Sequence, residues 1–576
     1  MAIHELVNSL EKGLGKKVIL TATVLAAAAF VGFLSYLFEF GGFEDSASMD
    51  NGQLARSLAE GRGYTTSIVR PNTLAQLRRH YTQQGRPAKD VNIQRFPEVS
   101  RAPAYPMALS LLYRLPFIAF DQEPTDILKQ GYWPEFFTTV FNQLIIAATA
   151  LILLVLGVRM FDWRVGWTTV VIFIGTSLIW QFSLTALPTN LLFFLMAALF
   201  LCLEEAIVAD ETDRAVRVWL LLPASSVFMA LVIYTQYYLA WLLIPYGLFL
   251  LVAFRYRLFP AIVAMLLALV LVAPWGYFLY EKTGNPVGSN LQLVLTQVGE
   301  EQVDVEKNYF MVQGGRVRLL LRKIMEGAGY SIENVYRLAG SSVAVVLYVV
   351  SFLHAFRRRR VLLLRLLILG FLAFSIFGAV LFDPTPLPLS ELNAFAPYIS
   401  LMAMYGTAMF FILLDRTGIH LRMVRYLILT VFLLVNVAPL AVKLLPPNNT
   451  QMRYPPYHPP MLRYIQRAVE PNELLMTDMP WATAWYTNRV SLLKPKTLQQ
   501  FYDIHEGHYP VKAMLLTPIT WEASLLEIDK GKLEDWSVLI KREGIPEKFP
   551  LIFPVALPPN EDEYLFFSDE NRWQSR

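Results

Sequence analysis

The chain has 576 residues, 55% of them hydrophobic and 17% charged, with a formal net charge of +4. Its mean hydropathy of +0.41 is more than a water-soluble core can absorb, so lipid must act as part of the solvent. The basic residues are dispersed among apolar runs, which gives no reason to expect a nucleic-acid partner, and the single cysteine, Cys202, excludes an intrachain disulfide.

In chain order, Lys12, Lys16 and Lys17 precede the apolar stretch 18–38. That stretch is close to the ~20 residues that span a bilayer, is longer than a signal-peptide core and has no convincing cleavage site after it, so it reads as a retained first helix. Further apolar runs predict helices at about 138–158, 166–184, 188–207, 219–237, 239–254, 260–280, 341–356, 361–382, 394–414 and 424–444, some eleven in all. Short loops carrying Arg159 and Arg164, Arg214 and Arg217, Arg255 and Arg257, Arg357 to Arg360, and Arg416, Arg422 and Arg425 fall on every second connection. The positive-inside bias assigns them, with the N-terminus, to the cytoplasm.

The expected architecture is a polytopic α-helical protein of the inner cell membrane. Its transmembrane part, 1–444, includes two long outer loops, about 39–137 and 281–340; a small extracytoplasmic α/β domain follows at 445–576. The proline-rich PPNNTQMRYPPYHPP marks that boundary. Beyond it, Leu474 to Thr477, Val490 to Leu493 and Ala513 to Leu516 are short apolar runs bounded by turn formers, as strands are.

The first outer loop opens with FEDSASMDNGQLARSLAEGRGYTT and continues to QRFPEVSRAPAYPMALSLLYRL. Glu44, Asp45 and Asp50, set beside the membrane surface, must face water, a cation or a substrate. Asp50 also has a structural reading: Asp-x-x-Gln at Asp50 and Gln53 has the form of a capping box ahead of a helix whose apolar face carries Leu54 and Leu58. Both readings stand at this point.

On these residues the chain resembles the GT-C superfamily of membrane glycosyltransferases. It looks most like bacterial relatives of dolichyl-phosphate-mannose protein mannosyltransferases and of lipid A aminoarabinose transferases. In that family an acidic motif begins the first outer loop, a helix of the form Asp-x-x-x-(Tyr or Leu)-Ala follows and ends in glycines, and a Pro-x-Tyr-Pro segment precedes the second helix. Here these features fall on Asp50, Leu54, Ala55, Gly61, Gly63, Pro103, Tyr105 and Pro106. The tail segment TDMPWATAWYTNR is similar to tails of bacterial members. The family often has two adjacent acids at the start of the motif; here Asp50 is followed by Asn51, and the adjacent acids are Glu44 and Asp45.

The resemblance implies transfer of a sugar from a polyprenyl-phosphate donor to an extracytoplasmic lipid, glycan or protein, with inversion. Such a reaction needs a base for the acceptor proton and cations for the departing phosphate. Asp50 is the first candidate for the base, then Asp45, then Glu44; Asp45 and Asp50 are also candidates to hold a divalent cation through hard oxygens. Candidate phosphate and sugar ligands are Arg70, Arg95, Arg101, Lys282, Arg316 and Arg318, because arginine meets phosphate bidentately, together with Tyr105 and Gln236. Each cation alone also reads as a solvated or headgroup-facing residue, Pro-x-Tyr-Pro as a rigid turn, and Tyr234 to Tyr238 as an aromatic belt. In the tail, Asp478, Trp481, Trp485, Tyr486 and Arg489 suit either sugar stacking or a small core. A transporter or lipid flippase is the alternative of a different class; it predicts charges at mid-span, and the predicted spans are mostly uncharged at their centres.

Overall fold

The computed structural model describes residues 14–87, 91–120, 132–296, 302–309, 317–445, 459–507, 509–521, 534–541, 543–557 and 564–572. The chain divides into two compact units: Met1–Phe40, Thr138–Pro274 and Ile324–Gln451 form one, and Gly41–Phe137, Trp275–Lys323 and Met452–Arg576 the other. The division runs through both long loops, grouping most of each with the tail, whereas the sequence suggested a boundary near 445.

The first unit is helical. Among the described residues of the chain, eight helices are long and apolar enough to cross a membrane: Val18–Glu39, Trp133–Met160, Thr189–Glu211, Ala215–Thr235, Leu258–Thr283, Arg359–Phe382, Ala396–Arg416 and Arg422–Leu444. A ninth is possible if Trp163–Gly175 and Ser177–Ser183, bent by 58° at their junction, count as one span. The expected count of about eleven is thus not reached. The runs at 239–254 and 341–356 form only the short apolar helices Tyr237–Ala253 and Val343–Leu353.

The break in the predicted 166–184 helix has a local cause. Thr176 is extended at φ −83° and ψ 113°, which interrupts the helical ladder. Trp180 Nε1 takes up one of the carbonyls this releases, Ile174 O at 2.6 Å, and beyond the end of the second segment Asn142 Nδ2 donates to Thr185 O at 2.7 Å. Asn190 Nδ2 donates to Phe182 O at 2.8 Å. Broken helices survive at membrane depth when their backbone groups are met in this way.

The second unit is built on a six-stranded sheet. Its strands include β2 (Ile68–Val69), β4 (Leu474–Thr477), β5 (Val490–Leu493), β6 (Val511–Leu516), β7 (Phe553–Ala556) and β8 (Leu565–Ser568), in the order β2-β5-β4-β6-β8-β7. A separate antiparallel pair joins β1 (Thr65–Thr66) to β3 (Phe96–Pro97). Strands β2, β5, β4 and β6 are parallel, β8 runs antiparallel to them, and the edge strand β7 is antiparallel to β8. The helices Pro480–Thr487 and Leu498–Gly507 supply the crossovers that parallel pairing requires. One face carries Val69, Leu492, Met476 and Met514 against Leu74, Phe501, Ile504 and Trp536.

The two strands of the tail predicted at 474–477 and 490–493 are found, and the third begins two residues earlier than predicted. The sheet's edge strand, β2, comes from the first loop: Val69 lies beside Leu492. Because all four parallel strands point the same way, Arg70, Lys494, Asp478 and Thr517, each directly following its strand, share the carboxyl edge, where ligands of open α/β sheets bind.

Candidate functional site

The site is built around the helix Ser46–Ala59. Asp45 is its N-cap, with Oδ1 accepting from Ser48 N and Oδ2 from Ser48 Oγ, both at 2.6 Å. The capping role suggested for Asp50 therefore belongs to Asp45. Gly61, at φ +76°, ends the segment, and Arg62 N folds back onto Ser57 O at 2.9 Å in the left-handed termination that glycine permits.

Every residue of this helix from Ser48 to Ser57 is buried, although the sequence there is largely polar. Burial without partners is costly, and the side chains are tied accordingly. Gln53 Nε2 donates to Ser67 Oγ at 2.7 Å and its Oε1 accepts from Thr66 Oγ1 at 3.3 Å. Arg56 Nε meets Glu60 at 2.7 Å while its guanidinium lies over Phe120. At Gly52 an added Cβ would stand 2.9 Å from the Trp485 ring, so glycine lets the helix approach that indole. Trp485 Nε1 and Tyr486 Oη in turn donate to Glu135 Oε1 at 2.9 and 2.5 Å.

Asp50 is 4% exposed. Its Oδ2 accepts from Arg70 Nη2 and, at 2.9 Å, from Arg101 Nη2. Its Oδ1 is buried and meets no hydrogen-bond donor among the described residues.

Arg70 is placed by the sheet and by the helix it precedes. It follows β2 and is the N-cap of Pro71–Gln83, extended at φ −94° and ψ 127°, the conformation a following proline favours. Glu306 Oε2 accepts from its Nε at 3.0 Å, and Glu98 Oε2 lies 3.7 Å from its Nη1. Burial opposes the charge on Arg70, but the carboxylates of Asp50, Glu306 and Glu98 outweigh it and raise its pKa, so this guanidinium stays protonated. Arg101 is set by Glu98, whose Oε1 accepts from Ser100 N at 2.7 Å and Arg101 N at 3.1 Å. Tyr64 Oη donates to Arg101 O at 3.0 Å. Three carboxylates thus face two guanidiniums.

The short helix Gln302–Glu306 closes one side. Asn72 Nδ2 holds Val305 O at 3.1 Å, and Gln302 Nε2 holds Glu306 Oε1 at 2.9 Å. Beside Arg70 is a small polar cavity of about 10 Å³, bounded by Asn72, Ser100, Asn290, Gln292 and Glu306 among others, room for about one water.

Of the residues proposed from sequence, Asp50, Arg70 and Arg101 come together. Glu44 is exposed and Asp45 serves its own helix. Arg95 is exposed on the turn Ile93–Arg95. Tyr105 is fully buried in the helix Ala104–Tyr113. Lys282 pairs with Glu281 at 2.8 Å, and Arg318 is exposed near the start of Val317–Glu333. Arg316 lies outside the described residues. Gln236 belongs to the helical unit, where its Nε2 is buried with no partner among the described residues.

Both oxygens of Asp45 are taken by Ser48, Asp50 Oδ2 is taken by guanidiniums, and among the described residues no three His, Cys, Asp or Glu side chains converge to hold a metal. In the tail, Trp485 and Tyr486 are fully buried, which makes them core and not a sugar platform. Asp478 accepts from Thr517 N, Thr517 Oγ1 and Thr520 Oγ1 at 3.0, 3.0 and 2.7 Å; burial raises its pKa against these bonds. Sequence reasoning missed Glu98, Glu306 and Glu135. Glu98 follows a proline in the quoted loop segment and was readable as a partner for a nearby arginine; the other two carry no local signal.

No protein-family model matches the sequence, and no curated relative does. Among solved structures, ArnT from Cupriavidus metallidurans bound to undecaprenyl phosphate is similar at a TM-score of 0.49 and 12% identity, covering 97% of this chain and 99% of that one. Its apo form gives 0.49 and 11%, covering 95% and 98%. The apo oligosaccharyltransferase of Archaeoglobus fulgidus gives 0.49 and 10%, covering 96% and 75%. Likeness at this level leaves activity to be argued from the chain's own residues.

Proposed function

We propose that the chain is a membrane glycosyltransferase that moves a sugar from a polyprenyl-phosphate donor to an extracytoplasmic lipid, glycan or protein, with Asp50 as the base. The observation that carries the reading is the state of Asp50: a buried carboxylate with one oxygen fixed by Arg70 and Arg101 and the other without a donor. An unsatisfied buried oxygen is costly, and it is suited to accept a proton in a reaction.

Oδ1 takes the proton of the acceptor hydroxyl or amine as that atom attacks the anomeric carbon. The bond from that carbon to the phosphate oxygen breaks, and its electron pair leaves with the polyprenyl phosphate. Attack from the opposite ring face inverts the centre. Arg70 and Arg101 meet the charge gathering on the phosphate, as preorganised cations do in a dry site. Glu306 occupies Arg70 Nε, so donor binding displaces it and the short helix that carries it. The first-loop motif around Asp50 and the apolar helices that keep the chain in the donor's lipid support the same reading.

The test is to supply the full-length protein in proteoliposomes with radiolabelled polyprenyl-phosphate sugars and envelope lipid, glycan and protein acceptors. A covalent product is expected with at least one pair. Sugar or lipid movement across the membrane without any covalent product would overturn the proposal in favour of transport.

A further inference from the structure

The helical unit has a cavity of about 400 Å³ at one end of its spans, within the range of small-molecule sites. It is formed where the helix Trp163–Gly175 begins, Ala396–Arg416 ends and Arg422–Leu444 begins. The charge pattern assigns this end to the cytoplasmic side. Arg164, Arg422 and Arg425 line it, with Trp163, Trp167 and Tyr426. Its apolar wall is Phe411, Leu414 and Leu429, and Leu429 packs against the core that includes Phe432.

The charges are unequal. Arg164 Nη2 lies 3.2 Å from Asp162 and 3.5 Å from Asp415, which also pairs with Arg425. Arg422 has no ion pair or hydrogen bond among the described residues, leaving three guanidiniums against two carboxylates. Two helix N-termini add positive potential, offset in part by the C-terminus of Ala396–Arg416. The Trp167 Nε1–H is buried with no acceptor among the described residues, whereas buried donors normally have one. Trp163 and Tyr426 are exposed at 44% and 67%, as aromatics are at the level of lipid headgroups.

We infer that this cavity binds an anionic phospholipid, its phosphate at the arginines and the upper part of an acyl chain along Phe411 and Leu429. A cationic mouth on an apolar wall at the membrane boundary matches an amphiphile with a negative head. It does not match a wholly soluble anion, which would leave the wall uncovered, or a zwitterionic lipid, which would leave the arginine excess unmatched.

The experiment is a titration of delipidated full-length protein in neutral detergent with phosphatidylglycerol, with phosphatidylcholine of the same chains, and with glycerol 3-phosphate as the headgroup alone. Phosphatidylglycerol should bind at least tenfold more tightly than phosphatidylcholine, and glycerol 3-phosphate should not displace it at equal concentration. Arg422→Gln should weaken phosphatidylglycerol roughly fivefold, the effect of one basic residue near a lipid surface. Leu429→Trp, which fills the cavity and leaves every charge in place, should weaken both lipids. Equal binding of the two lipids, an unaltered phosphatidylglycerol affinity in both variants, or displacement by glycerol 3-phosphate would each overturn the assignment. Sugar transfer is not needed for the readout, so failure here leaves the proposed reaction untouched.

Discussion

Arg101 Nη2 reaches Asp50 Oδ2 at 2.9 Å across 51 residues of sequence, on the same oxygen that Arg70 holds. Removing Arg101 leaves Arg70 to orient the carboxylate but takes away a cation for the leaving phosphate. Arg101→Gln should therefore lower kcat about 10²-fold, in the range of losing one charge-stabilising donor, and should also lower the thermal midpoint, because the Arg101 side chain is only 11% exposed and pairs with a buried carboxylate. Unchanged steady-state turnover would take Arg101 out of the reaction.

Glu98 ties the turn at Ser100 and Arg101, so it is a positioning residue. Glu98→Ala leaves the Ser100 and Arg101 amides without their acceptor, at a cost of roughly 1–3 kcal/mol in stability, with kcat reduced as in the Arg101 variant. Glu98→Asp, tested in parallel, should recover more activity than Glu98→Ala. Equal activities in the two would mean that the turn does not serve Arg101.

If Glu306 competes with the donor phosphate for Arg70, neutralising it should help the donor. Glu306→Gln is expected to lower the donor KM several-fold with kcat nearly unchanged, since Asn72 still holds the short helix at Val305 O. A raised KM would show Glu306 contributing to donor binding.

Lys494 directly follows β5, is 2% exposed and has its ammonium 5.1 Å from the Trp536 ring. Burial, then the nearby Lys307, lower its pKa from 10.5 to about 7 against the pull of Asp478 and Asp304. Between those values the unfolded chain binds more protons than the folded one, so stability rises with pH across about 7 to 10.5. The penalty is full below pH 7. Lys494→Met should raise the thermal midpoint most at pH 6, by a stability gain on the order of 4 kcal/mol, and the gain should vanish toward pH 10.5. A gain independent of pH would place Lys494 uncharged or paired throughout.

What the sequence made legible follows from the reach of each interaction. Asp50, Arg70 and Arg101 were nameable because the first loop carries them in one polar stretch beside a helix signal. Arg95 looked equivalent to Arg101 there; only the Glu98 turn separates them, since it binds the Arg101 amide and leaves Arg95 on the surface. Strand β2 has two residues, Ile68 and Val69, too few for any periodicity, and exists because it docks on β5 more than 400 residues later. Glu306 and Glu135 likewise gain their meaning from Arg70 and from Trp485 and Tyr486. The Thr176 break was hidden because Trp180 meets a carbonyl it frees, Ile174 O, inside a run that stays apolar.

The central claim is that Asp50 is the base, and it is tested most directly by measuring donor binding and sugar transfer side by side for the wild type and Asp50→Asn. Asparagine keeps the size and one acceptor oxygen but cannot take the proton. The account predicts transfer reduced by about 10²–10⁴-fold with donor affinity nearly unchanged. Transfer at the wild-type rate by Asp50→Asn would contradict it.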